Sequence, residues 1–426
     1  MLEKQIETAN QWIDAHLSEL TKMSDTIFDH PEIGPHEYKS SALLTQYLED
    51  HGFAVTRGIG SLETAFRAIW KNGEGGPNIG LLCEFDALPG MGHGCGHQLQ
   101  GPSILGAANA IKEAAGDSPF TLTVYGTPGE ENISGKYIMI KEGCTFEELD
   151  VALMMHGGPA TQTDIKSLAN AEYTVTYHGK AAHAALKPEA GRSSLDAMML
   201  AFHGIECLRE HVPDDVRIHY NIIDGGGTAA NVVPSFTQAQ VMVRAGTVGL
   251  VKEIMNRMEK IYNGAALMTE TTVNAEVGKI LDNKIPNLTL NDLLMKHARA
   301  LNAPNCQSAR KRTGSTDFAN VMHRVPGSCI RVAFVPDGTS SHSPEFIAAG
   351  KSEEAHQAVQ FGAKILADAA LELIDDPKQL EAIQKGVQRK KRSRGKGIPL
   401  RKTEALCTCL SPIYDITEKD LAVMKS

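Results

Sequence analysis

At 426 residues the chain is too long for one ordinary core, so two or three domains are expected. Its 42% hydrophobic and 22% charged content is that of a soluble globular protein, and no apolar run approaches the ~20 residues of a membrane span. A net charge of -9 argues against nucleic acid as the main partner.

Glu3, Lys4, Glu7 and Asp14 interrupt any secretory apolar core at the start. Ile6, Ile13, Leu17, Leu20 and Ile27 recur there at helical spacing and predict an amphipathic helix. The eight cysteines are scattered rather than spaced as a disulfide framework, which points to reduced thiols in a cytoplasmic protein. A loop around His30-Pro31 leads to a second helix over 38–53, closed by Gly52. Strands are predicted at 65–71 and 78–85, the second nearly all apolar and therefore central. A helix of small residues over 102–115, a strand at 120–125, a helix from about Gly135 and a strand at 151–155 ending at His156 follow. That alternation predicts an α/β layer on a mostly parallel sheet.

From about Ala169 the rhythm changes. Strand 172–177, helix 193–211, strands 217–223 and 237–244, helix 251–262 and strand 271–277 spell β-α-β-β-α-β, the order of a ferredoxin-like α+β unit. A helix at 288–301, a buried strand at 329–334 and a long helix at 352–374 resume the first pattern, so the unit reads as an insertion. The expected division is a catalytic domain in two parts, 1–168 and 287–375, an inserted domain at 169–286 and a basic, mobile tail at 376–426. Cys407 and Cys409 in that tail are too few ligands for a structural zinc site.

The chemistry lies beyond the carboxyl ends of the expected parallel strands, where open α/β sheets form active sites. Cys95 and His97 follow the strand at 78–85, Glu130 and Glu131 follow the strand at 120–125, His156 ends its own strand, and His342 follows the strand at 329–334. Singly, each has an ordinary structural reading. As a set, one thiolate, one carboxylate and three imidazoles are enough donors for two divalent ions, with a softness that suits zinc or manganese. Neighbouring glutamates in an extended loop point in different directions, so one can bind metal while the other takes a proton from water. His93 is read as an ordinary half-buried histidine, because His97 already fills the spacing. Cys95 and His97, two residues apart on one loop, are poorly disposed to act as a nucleophile and its base.

Gly94-Cys95-Gly96-His97, Thr127-Pro128-Gly129-Glu130-Glu131, Leu153 through His156, Gly179 through Ala184, Gly314-Ser315-Thr316-Asp317 and Ser341-His342-Ser343 occur in that order. As a set they resemble the aminoacylase and carboxypeptidase family of co-catalytic metallopeptidases. Within it the similarity is to the amidohydrolase branch that includes p-aminobenzoyl-glutamate hydrolase and a β-alanyl-lysine dipeptidase. The resemblance implies a metal site of Cys95, His97, Glu131, His156 and His342, with the Cys95 thiolate bridging two ions. It makes Glu130 the general base and Asp86 the acid that orients a ligand. It further implies that the inserted domain serves as a lid and forms a homodimer. Arg244 and Asn231 would hold the substrate carboxylate and carbonyl region, and His183 would reach into the partner's site. Gln98 and Gly129 depart from residues common in relatives.

The implied activity is hydrolysis of an amide or peptide bond in a small N-acyl amino acid or dipeptide with a free carboxylate. The motifs do not separate this from an N-acyl amino acid deacylase. From a different class, a catalytically silent binding or regulatory protein on the same fold would have lost Glu130 or a ligand, and all are present.

Overall fold

The structure, a computed structural model, describes residues 1–310 and 314–394, with side chains as far as residue 385. Met1–Val387 form one compact unit. In it, helices α1 (Leu2–Asp29) and α2 (Tyr38–Asp50) precede strands β1 (Ala54–Ile59), β2 (Leu62–Asn72) and β3 (Asn78–Cys83). Then come α3 (Gln100–Glu113), β4 (Phe120–Gly126), α4 (Gly135–Lys141), β5 (Val151–Gly158) and the short β6 (Gln162–Thr163). A second set follows: β7 (Ala169–His178), α5 (Ser194–Arg209), β8 (Arg217–Asp224), β9 (Phe236–Ala245), α6 (Val248–Thr269) and β10 (Thr272–Leu281). The chain closes with α7 (Leu288–Ala300), α8 (Phe318–Met322), β11 (Gly327–Ala333), α9 (Pro344–Ala348), α10 (Glu353–Asp375) and α11 (Pro377–Arg394).

Seven strands form one sheet in the order β1-β2-β4-β3-β5-β11-β6. Its four middle strands are parallel, and antiparallel β1, β2 and β6 sit at the margins. Strand β3, five-sixths buried and apolar, lies at the centre, as its uninterrupted hydrophobic run requires. Strand β1 has no counterpart among the sequence expectations. It is an edge strand whose residues are half-buried or exposed, so it carries no apolar alternation to read.

Helices α1, α3 and α10 pack on one another over the sheet, and α3 is buried from Gln100 to Ile111. Gly106 explains how close they come: a Cβ there would lie 2.8 Å from Leu20 Cδ1 and 3.2 Å from the Ala363 Cβ. Serine, threonine or asparagine side chains cap α5, α6, α7 and α10 by accepting a backbone N–H of the first turn.

The second sheet, antiparallel in the order β10-β7-β9-β8, is backed by α5 and α6 and has its own buried apolar cluster. Past Asp375 the described residues do not lapse into irregular structure. Helix α11 continues the chain, and Leu380 and Ile383 join the main core. The basic block from Gln388 onward and Cys407 and Cys409 lie outside the residues whose side chains are described. Among the described residues, no helix is long and apolar enough to cross a membrane.

Candidate metal centre and active site

The carboxyl ends of β3, β4, β5 and β11 open onto one cavity of about 260 Å³, bordered by Cys95, Glu130, Glu131, His156 and His342 among others. Ligand atoms of Cys95, His97 and His156 lie within 4.8 Å of one another, and so do those of Cys95, Glu131 and His342. Cys95 is common to both trios. Its Sγ is 2.8 Å from His342 Nε2, which is 3.7 Å from Glu131 Oε1.

Each donor is aimed by its local structure. Asp86, just past β3, accepts from His97 Nδ1 at 3.0 Å through one oxygen and from the Glu131 N–H at 3.0 Å through the other. One buried carboxylate thus sets the ring of one donor and the backbone of another, and leaves His97 Nε2 facing Glu84 and Glu131. His156 lies within β5 rather than at its end, and its Nδ1 is 2.8 Å from the Gly157 carbonyl. His342 adopts a left-handed backbone (φ 66°) and donates its N–H to Gly94 O at 2.9 Å, tying the two donor loops together. His93 turns away, with Nε2 3.1 Å from Ile27 O, and burial lowers it to about 4.

Gly129 also has a structural reason to be glycine. Its φ is 63°, a Cβ would meet Ile133 Cγ1 at 2.4 Å, and Gly34 packs against its Cα. Its N–H donates to Glu37 Oε1 at 2.7 Å, which anchors the turn before Glu130 and Glu131.

Sequence reasoning missed the layer beneath. Buried Lys136 on α4 lies 2.5 Å from Glu84 Oε1 and 2.8 Å from Asp317 Oδ1. Glu84 Oε2 in turn is 3.2 Å from His97 Nε2. The readable signal was a charge, Glu84, inside an apolar strand run; Lys136 offers none. Burial opposes ionisation of Glu84, yet the Lys136 cation and then His97 hold its carboxyl well below the usual range. Burial, then Glu84, Asp317 and Glu131, push Glu130 well above its ordinary value. Burial works against protonation of His97, but Asp86 and Glu84 raise it to about 10. Burial, then the cations of Arg331 and His97, hold His156 well below the ordinary range, so it is a neutral donor. A thiol, three imidazoles and crowded carboxylates are a donor set that a pair of divalent cations fits, since cations relieve the repulsion that raises Glu130.

Of the site residues singled out in the sequence, His97 and Asp86 lie buried behind the lining of this cavity, and His183, Asn231 and Arg244 do not line it either. His183 is exposed, with Nδ1 accepting the Ala185 N–H at 3.2 Å. Its loop meets that of Asn231, whose carbonyl accepts the Ala184 N–H at 3.0 Å. Arg244, half-buried on β9, places Nε 3.2 Å from Met242 Sδ.

A parallel sheet whose strand ends gather a thiol, imidazoles and carboxylates defines the class of α/β metallohydrolases. The chain belongs to peptidase family M20/M25/M40, whose model matches residues 78–372. It is a hydrolase acting on C–N bonds. It is 38% identical to one of the named subunits of p-aminobenzoyl-glutamate hydrolase of Escherichia coli (strain K12) over 70% of this chain and 65% of that protein, just under two thirds of its length. It is 33% identical to Xaa-Arg dipeptidase of Mus musculus over 88% of this chain and 90% of that one. In fold it resembles a dinuclear metal-binding peptidase of Bacillus subtilis, with a TM-score of 0.63 at 20% identity over 84% of this chain and 99% of that one.

Proposed function

We propose that this protein is a cytoplasmic, homodimeric amidohydrolase that cleaves a small N-acyl amino acid or dipeptide carrying a free carboxylate. The observation that carries the reading is Cys95 shared by two donor trios, with Glu130 at the same cavity. Two divalent ions, zinc or manganese, held by Cys95, His97, Glu131, His156 and His342 would supply Lewis acidity and an activated water. Glu130 is the general base: its carboxylate takes a proton from the attacking water and hands it to the leaving amine. Asp86 keeps His97 and Glu131 aimed.

Residues 169–286 act as lid and dimerisation domain in this reading. The free edge of β8, with Ile222 and Ile223 exposed, supports strand pairing with a second copy. His183, whose Nδ1 accepts a backbone N–H, has Nε2 left to carry the proton and donate to an oxyanion in the partner's site. Arg244 and Asn231 would hold the substrate carboxylate and carbonyl region once the lid closes. The relatives' names span p-aminobenzoyl-glutamate and Xaa-Arg substrates, so a deacylase activity is tested beside the dipeptidase one.

The test is a panel of p-aminobenzoyl-glutamate, β-alanyl-lysine, Xaa-Arg dipeptides and N-acetyl amino acids on metal-loaded protein, beside Glu130→Gln. The variant should lose about 10²- to 10⁴-fold in kcat while keeping its metal content. Equal, slow turnover by wild type and variant would sink the enzyme reading in favour of a silent binding protein.

A further inference from the structure

The cavity lining carries Glu84, Glu130 and Glu131 beside the metal donors, and also the cations Lys284, Arg310 and Arg331. These three cations converge on one buried carboxylate, Asp164. Lys284 Nζ lies 2.7 Å and Arg331 Nε 3.5 Å from its Oδ2, and Arg310 Nε is 2.9 Å from Oδ1. Asp164 neutralises one of them, which leaves two positive charges in excess among these four groups of the described residues, the cationic side chains being 6%, 31% and 13% exposed in the order Lys284, Arg310, Arg331. Cations this buried are costly unless an anion meets them. The cluster begins beside the metal donors: Arg331 faces His156 across the parallel β5–β11 ladder, its Nη1 3.0 Å from His156 Nδ1. The Arg331 Nε makes no hydrogen bond among the described residues.

We propose that Lys284, Arg310 and Arg331 form a subsite for a second carboxylate, so that the preferred leaving amino acid has an acidic side chain. The inference rests on the amidohydrolase reading, in which the lid's Arg244 takes the α-carboxylate and leaves this cluster for the side chain. Guanidinium forks match a carboxylate's two oxygens. A lysine or arginine side chain brought to the same cluster would face two like charges in excess, so the subsite also discriminates against basic leaving groups.

The test is calorimetric binding of L-glutamate and L-glutamine to the full-length, metal-loaded protein, with KM measured for p-aminobenzoyl-glutamate and p-aminobenzoyl-glutamine. Glutamate should bind about tenfold or more tightly than glutamine. Arg310→Gln should bring the two within about twofold, by raising KM for the acidic substrate and leaving that for the amide almost unchanged, while Arg310→Lys keeps part of the preference. Equal binding of both amino acids by wild type, or equal weakening of both by Arg310→Gln, would overturn the subsite. Charge-selective binding without hydrolysis of any substrate would instead overturn the amidohydrolase reading and leave the subsite standing. Hydrolysis without charge selectivity would do the reverse.

Discussion

Glu37 acts as a hinge pin while sitting nowhere near a recognisable motif. One oxygen accepts the Gly129 N–H at 2.7 Å and the other the Thr64 hydroxyl at 3.0 Å, so the turn that presents Glu130 and Glu131 hangs on it. Burial, with Asp86 adding to it, pushes the carboxyl up from 4.5 to about 7 despite these bonds. Because the folded state binds this proton more tightly than the unfolded chain, the group favours folding below pH 4.5, and that contribution is lost as pH rises from 4.5 to 7. The loss amounts to roughly 3 kcal/mol at most. Glu37→Gln should flatten it: thermal melts of wild type and variant from pH 4 to pH 8 should show the variant gaining relative to wild type as pH rises. Parallel pH profiles for the two proteins would refute this.

At the scale of elements, α4 is seven residues long, packs Met139 into an apolar cluster, and is tied to two other elements by one charged residue. Lys136 joins α4 to Glu84 after β3 and to Asp317 at the start of α8, both by side chain and, for Asp317, by accepting the Lys136 N–H at 2.9 Å. Removing that cation would leave two buried carboxylates facing each other near Glu130. Lys136→Ala should therefore cost about 3–5 kcal/mol in urea denaturation. An unchanged unfolding midpoint would show that the network is not what holds α4. The second sheet meets this region through Lys279 on β10, whose ammonium donates to the Asn132 carbonyl at 3.1 Å, next to the Glu130–Glu131 turn. The element expected to move as a lid thus touches the loop expected to catalyse.

For the molecule as a whole, the crowding of Glu84, Glu130 and Glu131 with Cys95 means that an ion held there would be a structural as well as a chemical component. Chelation should abolish turnover and lower the melting temperature, and zinc or manganese should restore both, since a ligand that binds only the folded state stabilises it by mass action. A melting curve indifferent to chelator would argue that the donors hold no ion. Assembly is tested at the β8 edge. Ile223→Lys, at a residue 55% exposed, should convert a dimer to a monomer in light scattering without changing the monomer's fold. If His183 acts across the dimer, activity falls with it.

The amino-acid sequence alone determined most of the layout, since apolar periodicity is a local property: β3 had to be central, and α1, α3 and α10 had to bury their apolar faces. Glycine-rich spacing likewise marked Cys95 and His97 as chemistry-bearing, and ordered motifs marked Glu130, Glu131, His156 and His342. Strand β1 escaped because an exposed edge writes no pattern, and α11 because the two buried apolar residues among its described side chains, Leu380 and Ile383, are too few to set a period. What only the tertiary structure decided is which charges meet. Glu84, Lys136 and Asp317 lie 52 and 181 residues apart along the chain yet touch, and Asp164 gathers Lys284, Arg310 and Arg331 from three separate loops and strands. Ion pairing between distant segments depends on burial and on the path of the backbone, neither of which a stretch of sequence carries.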